Sequence, residues 1–261
     1  MIIFFIFWSC FYCTIFKIII PLIKNENING IVIAATLVSG YHLWFVYLII
    51  GLYLIVPLLR LWVNKKYIEY FIVLSMIFTY TLPQIIGIAV NFSGLFWGLN
   101  TILDDYLSLK YIGGFTTYFI LGWYLNNYDI KNKKNVYILG LISLATIIFG
   151  TYMLSYSTGK ILSMYDNLYL NILIQSIAIF VLIKYKFKDK QNNIVISSIS
   201  KYSLGIYAIH VLIIKIIFKF LEMKNMHFAL INIPLVFIVT FALSYLISFM
   251  FSKIPLLKRV V

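Results

Sequence analysis

His210 stands inside Ser203–Leu221, a run otherwise dominated by aliphatic residues. An ionisable group is costly in hydrocarbon, so it demands a partner or a wet cavity. Ser203, Tyr207 and His210 are spaced i, i+4 and i+7, which puts them on one face of a helix. Such a row can move protons or bind a hydroxylic substrate. It can equally tie one helix to another, and the spacing alone leaves both readings open. His42 opens a second apolar run, just before Trp44, and Arg60 follows eighteen residues later. At ~3.6 residues per turn the two fall on the same helix face at opposite ends. A guanidinium suits a phosphate-bearing donor, and it also suits a plain anchor at the cytoplasmic surface. Pro57 removes a backbone donor from this helix and is expected to kink it near Arg60.

Asn167, Asn171 and Gln175 form a third row, at i, i+4 and i+8. Amides glue helices together in a membrane at ~0.6–2 kcal/mol each, and they also bind sugar hydroxyls. Lys215, Lys219 and Glu222 fall near the end of a span, where long side chains reach back to the interface. The loop Asn91–Lys110 carries Asp104 and Asp105, read as a solvated pair or as carboxylates beside an outward-facing site. Other chemistries lack their motifs: there is no phosphate-binding Gly-rich loop ending in Gly-Lys-Ser/Thr and no His-Glu-x-x-His. Gly-x-Ser-x-Gly is absent too. With three His in all, His227 in a loop, no metal site is expected. Cys10 and Cys13 sit in the first apolar run and read as small packing residues.

The elements that position these residues follow from composition. Of 261 residues 63% are hydrophobic and 11% charged, against ~45–50% and ~25% in soluble domains. A water-soluble globule and a disordered chain are both excluded. The net charge of +13 reads as basic loops on a membrane protein rather than as a nucleic-acid surface. A helix needs ~20 apolar residues to cross the hydrocarbon core. Eight segments meet or approach this: Ile2–Ile23, His42–Val63, Tyr67–Val90, Tyr111–Asn127, Val136–Leu154, Leu168–Lys184, Ser203–Leu221 and Phe228–Phe251. The runs are continuous rather than alternating, which disfavours a β-barrel. The expected fold is therefore an all-α, polytopic helix bundle of about eight spans, a single domain over residues 1–261. Fourteen of the 21 Lys and Arg fall on one side of the alternating spans and six on the other. The positive-inside rule then places both termini in the cytoplasm. Met1 leads directly into Ile2-Ile3-Phe4-Phe5 with no basic stretch, so no secretory signal is expected and the chain reads as one that starts partway through a larger bundle.

Two stretches carry a family resemblance. Residues 41–60, from Tyr41-His42-Leu43-Trp44-Phe45 to Pro57-Leu58-Leu59-Arg60, and residues 200–210, Ser200-Lys201-Tyr202-Ser203-Leu204-Gly205-Ile206-Tyr207-Ala208-Ile209-His210, resemble the bacterial membrane acyltransferase-3 family, the O-acetyltransferases of surface polysaccharides. Tyr118-Phe119-Ile120-Leu121-Gly122-Trp123-Tyr124 is similar to a further, weaker family segment. The family normally has ten spans and an Arg/His-bearing first helix; this chain is similar to the family without its first two helices, eight spans with a cytoplasmic start.

The resemblance implies O-acyl transfer from acetyl-CoA, a donor substrate with no tightly bound cofactor, to a hydroxyl of a cell-envelope polysaccharide or its lipid-linked precursor. It implies a multi-pass protein of the bacterial cell membrane, in contact with lipid, with no nucleic-acid partner. A partner chain supplying the Arg/His helices is part of the same expectation, as is inactivity of this chain alone. The candidate catalytic residues are His210 and His42. The candidate substrate-binding residues are Arg60, Tyr207, Ser203, Asn171 and Gln175. The competing expectations are an exporter of polysaccharide or lipid-linked sugar, and a split-gene remnant without activity of its own.

Overall fold

The computed structural model describes residues 7–8, 10–12, 14, 41–61, 64–93, 113–159, 164–188, 193–220 and 229–255. Helices account for every regular element among them, and no strand occurs among the described residues. A 3-10 turn, Tyr41–Leu43, leads into α1 (Trp44–Leu61), which runs through Pro57. Then come α2 (Lys65–Ser75), a π-helical segment (Met76–Thr81), α3 (Leu82–Ser93), α4 (Gly114–Asn127), α5 (Lys133–Thr158), α6 (Leu170–Lys186), α7 (Ile194–Lys201), α8 (Ser203–Phe220) and α9 (Ala229–Lys253).

Among the described residues four helical stretches are long and apolar enough to cross a membrane: Trp44–Leu61, Lys66–Val90, Lys133–Thr158 and Ile231–Lys253. A fifth is added if α7 and α8, bent by 69° at Tyr202, form one broken span. The protein is an all-α, multi-pass membrane bundle. The first expected span and the loop bearing Asp104 and Asp105 lie largely or wholly outside the described residues, as do His227 and Glu222. The fourth and sixth expected spans are the short helices α4 and α6, of 14 and 17 residues.

The surface is apolar and the interior holds polar groups. Leu54, Leu141 and Phe237 are exposed, whereas Gln84, Thr117, Ser143, Asn171, Ser244 and Ser248 are buried. In water this distribution would be unstable; in lipid it is required, because only internal partners can satisfy a polar group there.

The described chain packs as two units, residues 1–53 with 191–261 and residues 54–190. In the second unit α5 lies close against α6. A Cβ added at Gly140 would come within 2.4 Å of the Ala178 Cβ. Small residues at a contact let two membrane helices approach and gain dispersion energy. Gly159, at φ 64°, ends α5 in the left-handed conformation that glycine adopts without strain. The π-helical segment precedes Pro83, which has no N–H to offer the Thr79 carbonyl and whose ring would crowd it. A wider turn accommodates that loss. The same segment seats α4: Tyr80 donates to the Gly114 carbonyl at 2.7 Å, and Gly113 lies so near Thr79 that a Cβ would overlap its side chain. At the other end of α4, the Lys184 ammonium donates to the carbonyls of Leu125, Asn126 and Tyr128 at 2.6, 3.1 and 3.2 Å. A cation on the last carbonyls of a helix sits at the favourable end of its dipole.

In the first unit the core consists of Trp8, Tyr12, Leu43, Val46, Ala208, Ile209 and Ile213. Tyr12 donates to the Ala208 carbonyl at 2.6 Å. Trp8 stacks near Phe251 of α9, with ring centroids 6.4 Å apart. At the α7–α8 bend, Ser198 and Tyr245 share a hydrogen bond of 2.7 Å.

Candidate functional site

Three of the residues singled out from sequence meet in the first unit. His42, in the 3-10 turn before α1, is 8% exposed. Its ring stands 6.1 Å from that of His210 on α8, nearly perpendicular at 88°. Tyr207 completes the group, its ring 6.5 Å from His42 and 5.7 Å from His210. The Tyr207 hydroxyl donates to the His42 carbonyl, which pins the 3-10 turn to α8.

His210 has a defined orientation. Its Nδ1 contacts the Tyr207 carbonyl three residues back. A carbonyl only accepts, so in the neutral ring Nδ1 carries the proton and Nε2 is the lone-pair nitrogen. A ring held by one nitrogen with the other presented as an acceptor is the arrangement a general base needs.

Sequence reasoning missed Tyr12, which is buried with its ring 4.4 Å from that of His42. A tyrosine amid the Phe-rich run of the first apolar segment gave only a weak signal. Ser203, expected on the same face as Tyr207 and His210, is exposed and donates to the Ser200 carbonyl at 2.9 Å. It belongs to the bend at the head of α8, and its hydroxyl serves that bend.

The other candidates lie in the second unit. Asn171 is buried and engaged at both ends of its amide. It accepts from Gln84 Nε2 at 2.9 Å and donates to the Met164 carbonyl at 2.5 Å. Gln84 in turn accepts from the Leu170 N–H at 2.9 Å, and Ser143 donates to the Asn171 carbonyl. This knot joins α3, α5 and α6 through side chains that have few other partners in lipid. Gln84 was not singled out from sequence, although an amide beside Pro83 in an apolar run is a signal of its own. Gln175, one turn on from Asn171, has a buried Oε1 with no hydrogen-bond partner among the described residues.

Arg60 is exposed in the last turn of α1 and borders a groove of about 580 Å³. α1, α2 and α4 form its walls, with Leu59, Tyr67, Phe71, Gly122 and Trp123 among the lining residues. No cluster of three His, Cys, Asp or Glu side chains suited to a metal occurs among the described residues.

No curated protein and no solved structure gives a significant match to the chain. The family model described as an acyltransferase domain, that of acyltransferase-3, matches residues 1–253. That span includes both histidines of the cluster and all but the last eight residues, and the chain belongs to this family of membrane acyltransferases.

Proposed function

We propose that the protein transfers an acyl group, acetyl in the first instance, from acetyl-CoA to a hydroxyl of a cell-envelope polysaccharide or its lipid-linked precursor, and that the His42–Tyr207–His210 cluster is where the hydroxyl is activated. One observation carries this reading: in a chain of the acyltransferase family, two histidines from distant parts of the sequence stand ring to ring inside an apolar bundle. An imidazole as buried as that of His42 is costly there and marks a functional site by default.

The chemistry follows from the geometry of His210. Nδ1–H is engaged by the Tyr207 carbonyl, so Nε2 takes the proton of the acceptor hydroxyl as its oxygen attacks the thioester carbonyl. The new C–O bond forms, the C–S bond breaks, and the departing thiolate recovers the proton from the imidazolium. Base catalysis of this kind is worth ~10²–10⁴-fold. His42 stands beside that ring as the second titratable group, fixed by Tyr12 and by the Tyr207 bond to its own carbonyl. The protein lies in a bacterial cell membrane with both termini cytoplasmic, a reading supported by the side on which 14 of its 21 Lys and Arg fall.

The test is consumption of the donor. Purified protein in detergent, assayed alone and together with a chain supplying an Arg/His-bearing helix, and given acetyl-CoA and a crude envelope glycan, should in at least one of the two assays release free CoA thiol in step with acetyl ester on the glycan. Glycan export without thiol release would contradict the proposal and favour a transporter.

A further inference from the structure

The groove beside Arg60 has a character of its own. Its volume, about 580 Å³, lies in the ~300–1,000 Å³ range of small-ligand sites. Its walls are aliphatic and aromatic, and Arg60 is the cation among the lining residues. Among the described residues Arg60 takes part in no ion pair. The carboxylate of Glu69, on the adjoining helix α2, accepts from the Tyr124 hydroxyl at 2.6 Å. The surface around the opening is apolar as well: Leu58 and Leu61 on α1, and Tyr70 on α2, are all largely exposed. In a membrane protein such a surface faces acyl chains. What reaches the groove laterally is therefore lipid, and a guanidinium with no ion-pair partner among the described residues favours a headgroup with negative charge.

We propose that this groove holds one acyl chain of an anionic phospholipid, with the lipid phosphate on Arg60. Arg60 is followed in sequence by Lys65 and Lys66, and basic residues at the end of a span draw anionic headgroups to it. The planar fork of arginine meets two phosphate oxygens at once, which lysine cannot do. Tyr67, Gly122 and Trp123 line the groove that would receive the chain. An added Cβ at Gly122 meets nothing within 4 Å, so the wall of the groove is open at this position. The proposal stands apart from acyl transfer and holds whether or not the protein transfers acetyl groups.

Trp123 provides the readout. Full-length protein in neutral detergent is titrated with phosphatidylglycerol brominated on one acyl chain, and with brominated phosphatidylcholine. Tryptophan quenching should saturate with the anionic lipid at lower concentration, and the saturable part should vanish in Trp123→Phe. Arg60→Gln should weaken binding of the anionic lipid roughly tenfold and leave phosphatidylcholine unchanged. Gly122→Phe, whose Cβ meets nothing within 4 Å, places a ring in the groove and should remove saturable quenching by both lipids. Equal affinity of Arg60→Gln and wild type for phosphatidylglycerol would overturn the proposal. Retained quenching in Gly122→Phe would do the same. Displacement of the brominated lipid by excess coenzyme A would also overturn it, because the groove would then belong to the donor.

Discussion

In the second unit the Asn171 amide takes a hydrogen bond from Gln84 and gives one to Met164. In the first, the His210 ring gives its one proton to a backbone carbonyl and presents Nε2 with no partner among the described residues. Both are polar groups in apolar helices, and both draw together segments distant in sequence. In the amide knot both side-chain amides are engaged at each end: Gln84 and Asn171 each donate one hydrogen bond and accept one. The histidine pair differs: its two rings meet edge to face rather than through a shared proton, and the acceptor nitrogen of His210 has no partner among the described residues. A saturated network holds helices together, whereas an open one is available to a substrate. In lipid the distinction is sharp, because water cannot fill an unsatisfied valence for free.

Substitutions can break this contrast in either direction. The largest effect is expected at His210. Replacing it by Gln should lower acyl transfer by ~10²–10⁴-fold while thermal unfolding in detergent stays close to wild type; a large fall in the unfolding temperature with activity intact would place His210 in the structural class. Asn171→Leu should behave in the opposite way. It strands Gln84 and the Met164 carbonyl, at a cost of ~1–3 kcal/mol, and should lower the unfolding temperature while specific activity of the surviving protein changes little. Gly140→Leu drives a side chain into Ala178 and should cost ~1–3 kcal/mol by overpacking, seen as loss of monodisperse protein on size-exclusion. The smallest effect is expected at Tyr12→Phe, which removes the bond to the Ala208 carbonyl. Its stability cost should be ~0.5–1.5 kcal/mol. Transfer should fall only as far as His42 loosens, so the variant gauges how much the orientation of that ring matters.

The membrane class, the helical architecture and the shortness of the fourth and sixth helices were legible in the sequence, because apolar run length is a one-dimensional signal. The i, i+4, i+7 row on α8 was legible in part. Tyr207 and His210 share a site, but Ser203 falls where the helix is only starting after the 69° bend at Tyr202. Helical periodicity says nothing about where a helix begins. The meeting of His42 with His210 was not legible, since it rests on tertiary pairing between residues at opposite ends of the chain. The Asn171–Gln175 row showed a polar face but not its fate, because Gln84, the partner that saturates Asn171, belongs to another helix. The groove at Arg60 had no sequence signature, being a gap between three helices rather than a pattern on one.

The central claim is that the two histidines of the first unit form the transfer site, while the amide knot of the second only holds helices together. The most direct measurement is acetyl incorporation into envelope glycan by cells expressing wild type, His210→Gln or Asn171→Leu, each normalised to the amount of protein in the membrane. The account predicts loss of acetylation in His210→Gln at near-normal protein level, and normal acetylation per molecule in Asn171→Leu at reduced level. Acetylation per molecule that is unchanged in His210→Gln, or abolished in Asn171→Leu, would contradict it.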